Sequence, residues 1–168
     1  MPLNNLNRTL SWSDFNQQQG QPGGANEFAQ IHPDMAPSNF VLARVRNAIT
    51  ITDVTIDLNL IADDCWVVAS RMTNDLLKHE QGHYDILAIS AREFFNALVG
   101  LSATTTDALQ RKVTQLQQRF AQQATRVDAR YDSESQTNHG INAAIQQTWD
   151  QRIAAAKASP GGRLADLP

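Results

Sequence analysis

The sequence predicts an α+β fold: a small antiparallel sheet from the N-terminal half packed on three helices from the C-terminal half. Two patterns carry this. Val54, Ile56, Leu58 and Leu60 alternate with Thr55, Asp57 and Asn59, the period-two signature of a half-buried strand. Farther on, Leu109, Val113, Leu116, Phe120, Val127 and Tyr131 recur at spacings of three, four or seven, one stripe of a long helix. The chain has 168 residues, enough for a single domain, expected over residues 1–158 with a frayed tail at 159–168.

In chain order, residues 1–39 read as irregular. Leu10-Ser11-Trp12-Ser13-Asp14-Phe15 alternates in part and fits a short strand, while Gln17 through Gly24 cannot pack a core and reads as a flexible loop. Pro22, Pro33 and Pro37 hold that region extended or turned. Phe40 to Val45 is apolar and rich in strand formers, and Cys65 to Ala69 supplies another short strand. The connections are too short for helical crossovers, so antiparallel pairing is expected. Asn74 to Val99 reads as the first helix, with Ser70, Thr73 or Asn74 as cap and Gly100 as terminator. Thr104 to Asp107 caps the second. The third runs from about Gly140 to Lys157, with Ile141, Ile145, Trp149 and Ile153 spaced by four. Trp12, Trp66 and Trp149 are expected in the core.

Charge and composition remove several classes. Fourteen Lys and Arg against 17 Asp and Glu exclude a generally basic surface, so no nucleic-acid partner is expected. No apolar run reaches the ~18 residues that span a bilayer, so no membrane partner is expected either. A lone Cys65 excludes an intrachain disulfide and reads as a buried apolar residue. No Sec-type signal is legible near Met1, which suggests the cytoplasm or export by a non-Sec route. Oligomeric state is not legible.

Only four His and four Glu occur, yet His79-Glu80-Gln81-Gly82-His83 forms H-E-x-x-H. Residues four apart on a helix share a face, so His79 and His83 can aim imidazole nitrogens at one point. Zinc accepts such nitrogens at about 2.0–2.1 Å. Glu80 flanks the same face, where it can act as general base on a water without ligating the metal. The helix then reads as a zincin-like active-site helix binding one Zn2+. A catalytic zinc wants a third protein ligand. Ile86 and Ile89 stand where a metzincin would have Gly and His, and His32 reads as a surface loop residue. Asp132, Glu134 and His139 remain, between the second and third helices.

Leu76 through Ile86 (LLKHEQGHYDI) resembles the signature of a bacterial family, domain-of-unknown-function family 922. Leu10 to Phe15 resembles that family's L-x-W-x-D-F, and Tyr131-Asp132 with Thr137-Asn138-His139-Gly140 resembles its Y-D-x-x-T-x-H-G. Gln147-Thr148-Trp149 resembles its Q-x-W. Ser135-Gln136 lengthens the gap between Tyr131-Asp132 and Thr137. The resemblance covers about residues 10–153 and implies a zinc-dependent protease acting on a peptide or protein.

Within that frame His139 is the expected third ligand, projecting from the chain end where the last helix starts. Glu134 would instead make a gluzincin-like site and Asp132 an aspzincin-like one. Asp132 has an alternative role, orienting a ligand histidine from behind; Asp128 is a weaker rival. Tyr131 is the better of two tyrosines for an oxyanion donor, although it continues the apolar stripe of its helix. Val54 to Leu60 is a candidate edge for an extended substrate. The expected function is therefore a zinc metallopeptidase with ligands His79, His83 and His139, base Glu80 and donor Tyr131. The rivals are a non-catalytic zinc-stabilised binding domain and a metal-dependent hydrolase of a non-peptide substrate.

Overall fold

A computed structural model describes residues 2–22, 24 and 26–168. Its strands are β1 (Leu3–Asn4), β2 (Asn16–Gln18), β3 (Ala29–Gln30), β4 (Pro33–Val45), β5 (Ala48–Leu60), β6 (Trp66–Val68) and β7 (Ser102–Ala103). Its helices are α1 (Asn74–Leu98), α2 (Thr106–Asp132) and α3 (Ala143–Ala158). The α+β architecture is as expected, with strands largely in the first half and helices in the second.

The strands form two sheets rather than one. In the larger, β5 lies between β1 and β4, and β7 pairs with the far end of β5. Alternation in β5 does what the sequence implies: Val54, Ile56 and Leu58 are fully buried. A bulge opposite Ser38 to Leu42 shifts the register, after which Ile51 takes over the buried side. β4 begins at Pro33, earlier than the prolines suggested. It is an edge strand, where a missing N–H need not leave a ladder bond unmade. The smaller sheet has the order β2-β6-β3. Pairings of β1 with β5 and of β2 with β6 are parallel, against the antiparallel expectation. Long stretches of chain bring these two- and three-residue strands alongside, so short connections do not constrain them.

Leu10 to Phe15 is not a strand. Trp12–Asp14 is a 3-10 turn closed by a capping box, in which Asp14 accepts from the Ser11 backbone N–H at 2.8 Å. Arg8 holds the same carboxylate at 2.6 Å. Of the expected loop at 17–24, Gln17 and Gln18 belong to β2, and Gly23 lies outside the described residues.

Helix α1 is the spine of the molecule. Thr73 caps it, accepting from Leu76 N–H at 3.1 Å, and Gly100 (φ +87°) leaves it in the left-handed conformation that a helix end favours. One face (Tyr84, Ala88, Ala91, Phe94, Phe95, Leu98) joins β5 and β4 in the main core. Another (Ile86, Ile89) joins Ala124, Val127 and Tyr131 of α2 and Trp149 and Ile153 of α3 in a second core. Trp149 is fully buried, whereas Trp12 and Trp66 are only partly so. Ile141 lies before α3 and is exposed.

Residues 159–168 are packed, contrary to expectation. Leu164 and Leu167 are buried in the second core. The Arg92 guanidinium donates to the carbonyls of Ala156, Lys157 and Gly162 at 2.7–2.9 Å. Among the described residues no helix is long and apolar enough to cross a membrane.

Candidate metal centre

His79, Glu80 and His83 face the gap between the N-terminal half of α1, the end of α2 and strand β3. His79 Nε2 and His83 Nε2 are 3.2 Å apart, and each is 3.0 Å from the same oxygen, Asp132 Oδ1. Three ligands around tetrahedral zinc at 2.0–2.1 Å would be spaced by about 3.3 Å, so this triangle has the size of one metal-binding face. Among the described residues, these three form the group of metal-ligating side chains that converges on one point.

The outer partners decide what the triangle can hold. His79 Nδ1 is 3.0 Å from Gln146 Oε1. The Gln146 amide group donates to Asp150 at 2.7 Å and Tyr131 Oη at 2.6 Å, which turns its carbonyl oxygen toward His79. A carbonyl only accepts, so the His79 proton belongs on Nδ1. His83 Nδ1 is 2.6 Å from Asp128 Oδ1, which places its proton there too. Both Nε2 lone pairs and a carboxylate oxygen then converge. Three acceptors at that distance need a cation, or failing that a proton, among them. The donor set therefore fits a divalent metal, with partners behind each imidazole that fix its tautomer.

Electrostatics agree. Burial disfavours a charged Asp132, yet the two imidazoles beside it, with the proton on His83, hold its carboxyl far below the usual range. Burial depresses His79. Burial also works against a charged His83, but the Asp128 and Asp132 carboxylates outweigh it and raise this imidazole well above its ordinary value. One proton thus occupies the triangle when no cation does, and it sits on His83. Glu80 is 2% exposed, and its Oε2 has no hydrogen-bond partner. Burial pushes its carboxyl up to about 7. It lines a cavity of about 120 Å³ with His79, His83, Asp132, His139 and residues 27–31.

Two expected roles change. The third corner of the triangle is Asp132, the last residue of α2, and not His139. The His139 ring lies at the cavity wall, its Nδ1 3.7 Å from the other Asp132 oxygen. Helix α2 runs on through Tyr131-Asp132, which carries Asp132 one turn past Asp128 onto the same face. Glu134 is exposed and outside the cavity. Tyr131 does not line the cavity. Its ring stacks on His79 at 4.7 Å and 17°, and its hydroxyl donates to the His79 carbonyl at 3.2 Å. It braces the ligand from behind.

The remaining motif residues also have physical reasons. A Cβ on Gly82 would lie 2.2 Å from Tyr131 Oη, so only glycine lets the tyrosine reach the helix. Gln81 accepts from Leu10 N–H at 2.8 Å and donates to Asp85 at 2.9 Å, and Lys157 pairs with Asp85 at 2.6 Å. Thr137 is fully buried and its hydroxyl donates to the Tyr131 carbonyl. Asn138, His139 and Gly140 are three successive left-handed residues, and a Cβ on Gly140 would press on the His79 side chain at 3.0 Å. Gln146 and Asp150 escape sequence reading, and Asp128, read as a weaker rival, stands behind His83. The four-residue spacings Asp128–Asp132 and Gln146–Asp150 were their signal.

A family model described as "Bacterial protein of unknown function (DUF922)" matches residues 24–140, more than half of the chain. The protein belongs to this family. The match takes in α1, α2 and the whole Tyr131-to-Gly140 segment, so the triangle lies within the family's own region. The family description names no activity. No curated protein and no solved structure matches the chain.

Proposed function

We propose that this member of the family is a zinc-dependent metallopeptidase. Support comes from one observation above the others: an all-acceptor triangle of His79, His83 and Asp132 beside a buried, unpartnered carboxylate, Glu80. These three residues would hold the metal, which when bound supplies a Lewis acid that polarises a carbonyl and acidifies a water. Glu80 Oε2 would accept the proton of the attacking water and pass it to the departing amide nitrogen. A carboxyl pushed up to about 7 suits that exchange near neutrality. Asp128 and Gln146 hold the imidazoles in register throughout.

A peptide is favoured as substrate by strand β3. Val68 N–H bonds to the Phe28 carbonyl, so in this register 28/68 and 30/66 are the bonded pairs. The main-chain groups of Ala29 and Ile31 therefore turn away from β6, and both residues line the cavity. An extended peptide could pair there. The edge considered from sequence, Val54 to Leu60, pairs with β4 on one side and with β1 at Ile56 and Asp57 on the other.

Two histidines with one carboxylate also suit divalent iron. The unpartnered Glu80 favours hydrolysis over oxygen chemistry. Metal content of the purified protein, followed by peptide-library digestion with wild type and Glu80→Gln, tests the reading. The variant should keep one zinc and lose cleavage; equal cleavage by both would overturn it.

A further inference from the structure

The cavity that holds the triangle is small. At about 120 Å³ it admits little more than a peptide group. Next to it, on the His83 side, lies a groove of about 400 Å³, within the ~300–1,000 Å³ range of sites that accept organic ligands. The two adjoin: Gln30, Ile31, His83 and Asp128 line both. One wall of the groove is the start of β4, with Met35. The other is helical, with Ile86 and Leu87 of α1 and Ala121, Ala124 and Thr125 of α2. Small residues on α2 leave the room, and Met35, Ile86 and Leu87 give it apolar surface beside polar groups of His32, Gln117 and Thr125. Among the described residues, the carboxylates on its lining are Asp34 and Asp128. An acidic side chain seated against Met35, Ile86 and Leu87 would lose water and find no partner there.

We propose that this groove is the specificity subsite of the enzyme, and that it takes one large apolar side chain, aliphatic or aromatic, adjoining the bond to be cut. This rests on the metallopeptidase reading above and deepens it. The path follows from the shared lining: a peptide lying along Ala29 and Ile31 reaches the groove as it passes His83. Discrimination in an apolar pocket is worth about tenfold or more between a large side chain and none.

The test uses four peptides, acetyl-Ala-Ala-X-Ala-Ala-amide with X as Leu, Phe, Gly or Asp. Binding to zinc-loaded Glu80→Gln protein is measured by calorimetry, and cutting by zinc-loaded wild type by mass spectrometry. Leu and Phe peptides should bind, and be cut beside X, at least tenfold better than Gly and Asp peptides. Ala121→Trp and Thr125→Trp, both at exposed positions, fill the groove and should bring that ratio close to one. A ratio near one in wild type, or a ratio that survives both tryptophans, overturns the subsite. Binding with the expected preference but no cutting supports the subsite and overturns hydrolysis. Failure of every peptide to bind or be cut overturns the subsite as well.

Discussion

His79 Nε2 and His83 Nε2 lie 3.2 Å apart with both ring protons drawn to the opposite side, onto Gln146 and Asp128. Two imidazoles one helical turn apart would avoid that approach unless something positive belonged between them. The first prediction concerns the third corner. Asp132→Ala should weaken zinc binding by more than a hundredfold in a chelator-competition titration, and His139→Ala by less than tenfold. The reverse order would return the ligand role to His139.

The outer partners should matter nearly as much. Gln146→Leu and Asp128→Ala each remove an acceptor that fixes a ligand tautomer, a change that typically costs 10–100-fold in metal affinity. Competition titration measures it, and circular dichroism checks that the fold persists.

Zinc binding should expel a proton. Asp132 is held far below the usual carboxylate range and His79 is depressed, so both are already free for a metal at neutrality. His83 is raised and still protonated there. Its proton competes with the cation, so affinity should rise with pH, by about tenfold per unit through neutrality. Calorimetry at pH 7 in buffers of different ionisation enthalpy should report about one proton released; none released would contradict the triangle as described.

Glu80 gives a stability test of opposite sense. Its folded value of about 7 lies above that of an unfolded glutamate, so the folded state favours the protonated form. The metal-free protein therefore loses stability as pH rises between those two values, and the full cost is present above about 7. Glu80→Gln should raise the melting temperature of the metal-free protein at pH 8 by several degrees, an effect on the order of 3 kcal/mol at most, and change it little at pH 4.

Gly82→Ala should destabilise, although alanine is the better helix former by about 1 kcal/mol. The added methyl would meet Tyr131 Oη at 2.2 Å, and overpacking of this kind costs about 1–3 kcal/mol. Tyr131→Phe removes the nearest atom, so the double variant should lose less than the sum of the singles. Urea melts of all four proteins close that cycle.

Much of this was legible in sequence because it is local. The stripe of α2 and the H-E-x-x-H spacing on α1 depend on neighbours within one or two turns, and both elements form as read. Asp132 was within view but placed in a loop, because Ser133 to Asn138 looks like the start of a turn and helix α2 holds on for just long enough to carry it. The choice of His139 followed residue type, whereas the fold brings Asp132 beside the two imidazoles by position. Tyr131 was read for its hydroxyl, which the Gln146 amide and the His79 carbonyl claim first. Strands β1, β2 and β3 are two or three residues long and carry no period, so nothing in them announced an edge beside the site. Nor does local pattern join Gln146 to His79 across 67 positions.

That last bond has a practical side. The family match ends at Gly140, six residues before Gln146 and seventeen before Lys157, and begins after Leu10. A chain trimmed to residues 24–140 would keep every atom of the triangle and lose the acceptor behind His79, the cation on Asp85 and the amide that fastens Gln81. Such a fragment would display the motif with its imidazoles unfastened. The working unit is wider than the recognisable one, and inactivity of the shorter piece would say nothing about the protein.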